Sequence, residues 1–461
     1  RRGATRRQGR QQGRDCGPSR QRLHFRKPPV AGYCCRMITE GRLGARAVIV
    51  GVGIAGLAAA AALAPFFETI EIFDKDDLPD TPRPRRGIPQ DLQVHILLKG
   101  GELALESLLP GIRAALRAEG ATEVRQSEDV SIWERDAWQA TRDLGYSQFM
   151  MSRPAFEHVL RRRVLQLGNV VIQDRTPVES LPSGADLTVI ATGRGDGLLA
   201  GVSVPETVLG IEVSYSSARF AKPARFRGEG RFIACIPQPP DDRYGLVCPV
   251  ENDEWLITLS SRFDDRVPDD LDGFRAYAEA LPVPDIAERL REAVPLTPVR
   301  RYRIAEARWR HFDRGAALPP RVLPVGDCIS SFNPTFGQGM SVAAGHAVAL
   351  RDVLATWRGN LDGVAAAYLP RVAEVSRQAW SLASMVDLEY ARTRGERPAN
   401  FGKIVAGTEA MRRAAVLHPE VQLLRFEISN LVKPDSAARS GPAARLVARE
   451  MARAGGRARE R

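Results

Sequence analysis

The apolar positions near the start of this chain change period in a fixed order. Ala47-Val48-Ile49-Val50 is a continuous apolar run rich in β-branched residues, the pattern of a strand buried on both faces. Residues 57–63 form an alanine-rich run of helical composition, and Thr69-Ile70-Glu71-Ile72-Phe73-Asp74 returns to alternation. Strand, helix and strand predict a βαβ unit. Residues 47–67 also lack charge and approach the roughly 20 apolar residues of a membrane span. Their spaced glycines favour a strand and helix packed face to face, and no other segment approaches spanning length.

Further along, the pattern predicts helices over 94–109 and 112–119, stopped by Pro110-Gly111 and Gly120, and strands over 130–133 and 147–151. Ser152-Arg153-Pro154 caps a helix over 155–167, and strands follow at 170–172 and 186–193. From 201 to about 303 the composition changes. Extended segments at 207–215, 231–236, 244–250 and 255–260 are separated by Pro- and Asp-rich turns, which predicts an inserted antiparallel sheet. Helices over 271–280 and 286–294 follow, then strand and turn recur at 321–327 before a helix over 341–354. Two more helices, 369–388 and 411–431, are expected to cover the core or graze a membrane surface.

Charge changes the picture only at the ends. Residues 1–36 hold eleven Lys or Arg against the single Asp15, and residues 436–461 hold seven Arg against two Glu, so the net charge of +11 leaves the body slightly acidic. Basicity of this kind usually points to nucleic acid, but here it belongs to the termini and no nucleic-acid partner is expected. Residues 1–36 lack periodicity and read as a disordered basic tail, with Met37 as the native start and the tail foreign to the fold. No apolar signal core follows the arginines. Cys16, Cys34 and Cys35 fall in that tail, and Cys235, Cys248 and Cys328 show no metal-type spacing, so no metal is expected and a reducing cytoplasm fits.

The chemistry sits in two signatures far apart. Gly51-Val52-Gly53-Ile54-Ala55-Gly56 joins the first predicted strand to its helix. Gly51 permits a tight turn, Gly53 lets backbone approach a pyrophosphate without a Cβ, and Gly56 allows close helix–strand packing. The helix N-terminus adds free N–H donors and a positive dipole end. Asp74 ends the next strand at about the 20-residue offset from which a carboxylate reaches the adenosine ribose hydroxyls; Glu71, in mid-strand, is the poorer candidate. The second signature is Gly326-Asp327 with Phe332-Asn333-Pro334-Thr335-Phe336-Gly337-Gln338-Gly339-Met340. Asp327 would accept from ribityl hydroxyls, the following helix would aim its N-terminus at a flavin's pyrimidine edge, and Pro334 with Gly337, Gln338 and Gly339 would bring backbone close to the rings. One molecule of FAD accounts for both signatures. Arg153 stands where a guanidinium could bind its phosphates bidentately, although Ser152 as N-cap and Pro154 in the first turn explain the same residues as a plain helix start. The turn at Gly193 passes near the adenosine half. The basic loop 83–90 folds over the phosphates or ribityl chain, or is a surface proline-rich loop, and His95 at the start of the next helix adds a donor.

At these residues the chain resembles the p-hydroxybenzoate hydroxylase-like FAD monooxygenases, the group that includes squalene epoxidases and bacterial polyketide epoxidases and hydroxylases. The resemblance runs from about Ala47 to the end of the 341–354 helix. It is carried by Gly51-Val52-Gly53-Ile54-Ala55-Gly56, Asp74-Lys75, Arg86-Gly87-Ile88-Pro89-Gln90, Ser152-Arg153-Pro154, Ala191-Thr192-Gly193-Arg194-Gly195, Gly326-Asp327, Asn333-Pro334 and Gly337-Gln338-Gly339-Met340. It implies an α/β fold: a Rossmann-like FAD-binding domain in two parts (37–200 and 306–360), an inserted, mostly antiparallel β-sheet substrate domain (201–305), helices over 361–435, and a basic tail over 436–461. Lys75, Arg86, Gln90 and Met340 join the cofactor-binding residues on this ground.

The resemblance further implies NAD(P)H-supplied reduction of FAD, capture of O2 as a flavin C4a-hydroperoxide, and epoxidation or hydroxylation of a hydrophobic, secondary-metabolite-type small molecule. The cofactor carries the hard chemistry, so no catalytic nucleophile is expected. Two departures stand out: Ile190 replaces an acid that relatives often carry before Ala-Thr-Gly, and Leu92-Gln93 replace an Arg-His pair. No second Gly-x-Gly-x-x-Gly unit follows a strand, so the reductant binds transiently or is a separate flavin reductase. Three rivals remain: a flavin-dependent halogenase, for which a lysine near the substrate and a close tryptophan motif are wanting; an O2-independent flavin reductase or dehydrogenase; and a non-enzymatic protein led by its Arg-rich ends.

Overall fold

The computed structural model describes residues 42–459 apart from 196, 237 and 265, so the expectations for residues 1–36 lie outside it. Strand β1 (Gly44–Val50) leads into helix α1 (Ile54–Leu63) and β2 (Phe67–Phe73). After a long loop come α2 (Lys99–Leu108), α3 (Ile112–Ala118), β3 (Thr122–Arg125), β4 (Val130–Glu134), β5 (Ala137–Trp138) and β6 (Ser147–Met150). Helix α4 (Arg153–Leu165) precedes β7 (Val170–Gln173) and β8 (Leu187–Ile190). Strands β9 (Glu206–Ala221), β10 (Phe232–Ile236), β11 (Tyr244–Val250) and β12 (Glu254–Arg262) are followed by α5 (Leu271–Glu279), α6 (Asp285–Glu292), β13 (Val294–Pro295) and β14 (Arg300–Arg310). The chain then forms β15 (Val322–Pro324), β16 (Ser330–Ser331), α7 (Gly339–Thr356), α8 (Val364–Glu389), α9 (Phe401–Leu417), α10 (Pro419–Ser429) and α11 (Gly441–Arg459).

Two large sheets organise these elements. The first is five-stranded and parallel, in the order β15-β8-β1-β2-β7. Its central strand β1 is buried from Ala47 to Val50, as a strand covered on both faces must be. Helix α1 is buried almost all round because it lies between this sheet and α7; alanine suits it, since large side chains would hold the layers apart. The second sheet runs β16-β14-β9-β12-β11-β10-β4-β5, with β13 also on β9, and every pair is antiparallel except β10 with β4. It draws β4 and β5 from before residue 201 and continues through β14 to 310, so the expected limits of the insertion are not limits of the sheet. One face packs on α5 and α6 through Phe220, Trp255, Ile257, Phe274 and Ile286, and the other joins the core built around the five-stranded sheet.

Three expectations change. The helix expected from 94 begins only at Lys99, because 93–98 run extended before the backbone closes on its neighbours. A Cβ on Gly100 would stand 2.4 Å from the Leu431 carbonyl oxygen, and one on Gly101 2.5 Å from Ser341 Oγ. The single helix expected over 411–431 is two, broken where Pro419, which lacks an N–H, opens α10. The basic stretch after 436 contains helix α11, whose Ala443, Leu446 and Val447 pack with Ala414, Ala415 and Leu424. No helix among the described residues is long and apolar enough to cross a membrane.

Candidate active site

A cavity of about 900 Å³ is lined by residues of both glycine signatures. Its wall includes Gly51, Gly53, Asp74 and Lys75 on one side and Asp327, Pro334, Gly337, Gln338, Gly339 and Met340 on the other. The N-termini of α1 and α7 both open on it.

The glycines divide by role. Gly51 adopts φ +104, and a Cβ there would approach the Ala191 carbonyl oxygen to 2.5 Å. A Cβ on Gly56 would stand 1.9 Å from the Gly51 oxygen, so both are demanded by the strand–turn–helix packing itself. Gly53 differs: nothing lies within 4 Å of where its Cβ would be, and its backbone is ordinary. The space beside it belongs to the cavity, next to unpaired helix N–H groups, which is the room a pyrophosphate needs. Gly326, φ +68, does not line the cavity. A Cβ there would come within 2.7 Å of Ala55 Cβ, so this turn packs directly on the first signature.

Asp74 accepts from the Val52 N–H at 2.7 Å and the Asp76 N–H at 2.9 Å, which fixes the turn while leaving the carboxylate on the cavity wall. Asp327 also lines the cavity, and among the described residues no group donates a hydrogen bond to it. Burial raises its pKa from the usual carboxylate value, opposed by Arg194 and Arg153. A half-buried carboxylate on the cavity wall, without donors among the described residues, is an acceptor that ribityl hydroxyls would satisfy. Gln338, only 3 % exposed, has an Oε1 without a partner. These three observations fit a dinucleotide bearing a flavin.

Two expected cations sit differently. Arg86 is exposed and away from the cavity, and Arg85 takes the inward place, paired with Glu157 at 2.8 Å, Asp76 at 3.1 Å and Asp74 at 3.4 Å. Arg153 lines the cavity, but its guanidinium is held by Asp91 and by Glu157 at 3.5 Å. A guanidinium buried this deeply needs carboxylates around it, so Arg153 is not the free phosphate clamp its position in the sequence suggests. Lys75 is exposed at the rim, and Gln90 and Gly193 line the wall as expected.

His95 lies in the extended segment before α2 rather than at a helix start. Its Nδ1 is 2.9 Å from the Gln93 carbonyl, which can only accept, so Nδ1 carries the hydrogen and Nε2 is left as an acceptor. Burial, with Arg153 adding to it, pushes the ring's pKa down to about 3, so it is neutral. Gln93 ties this segment to the larger sheet by accepting from Ser217 Oγ at 2.5 Å, and Ser217 meets Thr258 at 2.6 Å.

Behind the Asn333-Pro334 loop, Asp387 of α8 accepts from Arg262 and from Asn333 Nδ2, both at 2.7 Å. Sequence reasoning missed this support and the wall formed by Tyr215, Tyr244, Thr258, Tyr302 and Ile304. Their alternation along the strands was visible, but which face looked into a cavity was not.

Comparison with known proteins fits this geometry. No protein-family model matches the chain. Among solved structures, 2-methyl-3-hydroxypyridine-5-carboxylic acid oxygenase is 19 % identical with a TM-score of 0.56, covering 75 % of this chain and 90 % of that one. The flavin-dependent brominase Bmp2 is 13 % identical with a TM-score of 0.61 over 91 % of this chain and 100 % of its own, and the flavin-dependent halogenase CmlS is 18 % identical with a TM-score of 0.58 over 82 % and 72 %. The protein therefore has the α/β fold of flavin-dependent oxygenases and halogenases. In sequence it is 31 % identical over 388 residues to Protein Rv3254 of Mycobacterium tuberculosis, covering 76 % of this chain and 81 % of that protein. The chain belongs to the family of that protein.

Proposed function

We propose that this protein is an FAD-dependent monooxygenase that places one oxygen atom of O2 on an apolar substrate by epoxidation or hydroxylation. The observation that carries the reading is the single cavity joining the open space at Gly53 to the donor-free Asp327 and on to a wall of tyrosines. Bound there, FAD would supply the redox chemistry and the activation of O2. The chain's own groups would hold it: the amides after Gly53 receive the pyrophosphate, Asp74 accepts from ribose hydroxyls and Asp327 from the ribityl chain. The N-terminus of α7, carrying roughly half a positive charge, opens on the cavity and would favour the negative charge that gathers on a flavin as it is reduced. The apolar and aromatic wall excludes water from the reacting end.

Electrons would come from NAD(P)H, directly or through a separate reductase. The test is to purify the protein, measure its flavin absorbance, and follow NAD(P)H oxidation and ¹⁸O incorporation from ¹⁸O2 with candidate lipophilic metabolites. Label from water instead of O2, or turnover without O2, would refute the reading. The similarity to a brominase and a halogenase over most of the chain favours halogenation as the second reading. Against it, the lysine among the described cavity-lining residues is Lys75, beside Asp74 at the dinucleotide end. Added chloride or bromide is expected to leave the product free of halogen, and a halogenated product would reverse the order of the two readings.

A further inference from the structure

We propose that His346, neutral and with its hydrogen on Nε2, is a positioning residue for the flavin: it holds the Gly326 amide and so sets Asp327 against the N-terminus of α7. This rests on the monooxygenase reading above and adds to it a residue that does not itself line the cavity.

The need arises in the turn that carries Asp327. Gly326 opens the single 3-10 turn Gly326–Cys328, and the first N–H groups of such a turn have no partner within it. Gly326 is buried, so its N–H must find an acceptor in the protein. His346 supplies one, with Nδ1 at 3.2 Å. A backbone amide can only donate, so Nδ1 is the bare nitrogen and Nε2 carries the hydrogen. The other end of the ring agrees. Its Nε2 lies 3.0 Å from Ser376 Oγ, and the Val372 carbonyl, one turn earlier on α8, also accepts from the ring. Burial pushes the pKa of His346 down to about 3, so it keeps this neutral form. An imidazole placed so deep costs desolvation that an apolar side chain would not, and these hydrogen bonds are what offset it.

His346 stands about two turns along α7 from Gly339. One helix therefore carries both the positive end that opens on the cavity and the acceptor that grips the turn. A Cβ on Gly339 would stand 3.8 Å from Asp327 Oδ1, so the carboxylate and the helix start are neighbours, and the bond from Gly326 to His346 fixes their spacing. Helix α8 backs the arrangement along the second signature. Its Tyr368 hydroxyl donates to the Pro324 carbonyl at 3.0 Å, Ser376 Oγ meets Ser330 Oγ at 2.9 Å, and Asp387 holds Asn333. A Cβ on Gly345 would stand 2.9 Å from Val375 Cγ1, so the bare glycine is what lets α7 approach α8 closely enough for His346 to reach Ser376. His346, Tyr368 and Ser376 are all fully buried and none lines the cavity, so His346 acts on a cofactor only through Asp327 and α7.

The test compares H346N with H346L in the full chain. Asparagine places Oδ1 near the position of Nδ1 and still accepts from Gly326, whereas leucine cannot. Titration of flavin-depleted protein with FAD is expected to show affinity about tenfold weaker in H346L, the size of one lost hydrogen bond, and within about threefold of wild type in H346N. In a D327N background H346L should cause little further loss, because its effect runs through the carboxylate. I286A opens a cavity in the core on the opposite face of the larger sheet; it should lower Tm and leave FAD affinity unchanged. Fully additive losses in the double variant, an H346N as weak as H346L, or an equal loss in I286A would overturn the proposal. Should H346L fail to fold, ¹⁵N spectra of the histidine rings decide: the signals that vanish in H346N must show, in the wild type at neutral pH, a bare Nδ1 and a protonated Nε2, and a hydrogen on Nδ1 refutes the assignment. Should the wild-type protein bind no FAD, the monooxygenase reading fails, and the same spectra still decide whether His346 holds Gly326.

Discussion

Replacing Gly53 by Val separates cofactor binding from folding. The position has φ −62 and ψ 179, which valine adopts freely, and no atom lies within 4 Å of the new Cβ. The cost to the fold is therefore that of a poor N-cap, about 1 kcal/mol, or a few degrees in Tm at most. The isopropyl group instead fills the space beside the α1 N-terminus. Denying a pyrophosphate two charge-assisted N–H bonds, each worth about 1.5–3 kcal/mol, costs about 3–6 kcal/mol, a loss of roughly 10² to 10⁴ in affinity. Flavin absorbance per protein after gel filtration and a thermal melt measure the two effects together. Gly56→Val is the contrast: its Cβ would stand 1.9 Å from a backbone oxygen, so it should fail to fold rather than merely lose flavin. Full flavin occupancy in G53V, at wild-type melting temperature, would refute the reasoning.

Asp327→Asn should act with opposite signs on the two forms of the protein. Burial raises the Asp327 pKa in the ligand-free fold, so that carboxyl's contribution is present at acid pH and is lost as pH rises from about 4 through the raised value; D327N should remove this dependence and melt higher than wild type at neutral pH when free of flavin. With flavin the variant should bind more weakly, having lost an acceptor oxygen, and equal affinity by titration would mean the ribityl contact is misplaced. Asp387→Ala should destabilise the protein by about 3 kcal/mol or more, because the buried Arg262 loses its partner and Asn333 its acceptor. Urea unfolding reads that cost, and a change under 1 kcal/mol would show the pair to be dispensable.

Residues whose role is local were legible in the chain. The βαβ unit could be read because its strand and helix carry their own periods, and Gly51 and Gly56 because a turn of that tightness leaves no room for a side chain. Ser152 capping α4, by accepting from the Ala155 N–H, was equally local. The loop 83–98 has no period to fix its phase, so the sequence points to Arg86 where the fold turns Arg85 inward, and to a helix at His95 where α2 starts four residues later.

The sequence by itself therefore determined the βαβ unit and the order of the glycine signatures, since each rests on neighbouring residues and on backbone conformation. Only the tertiary structure decided that Gly326 packs on Ala55, that Arg153 is neutralised by Asp91, and that Tyr302, Tyr215, Ser260 and Tyr244 fall in one line. Those facts depend on strand register and on charges brought together across long separations. Register is set by side-chain packing on both faces of a sheet and is carried by no one segment.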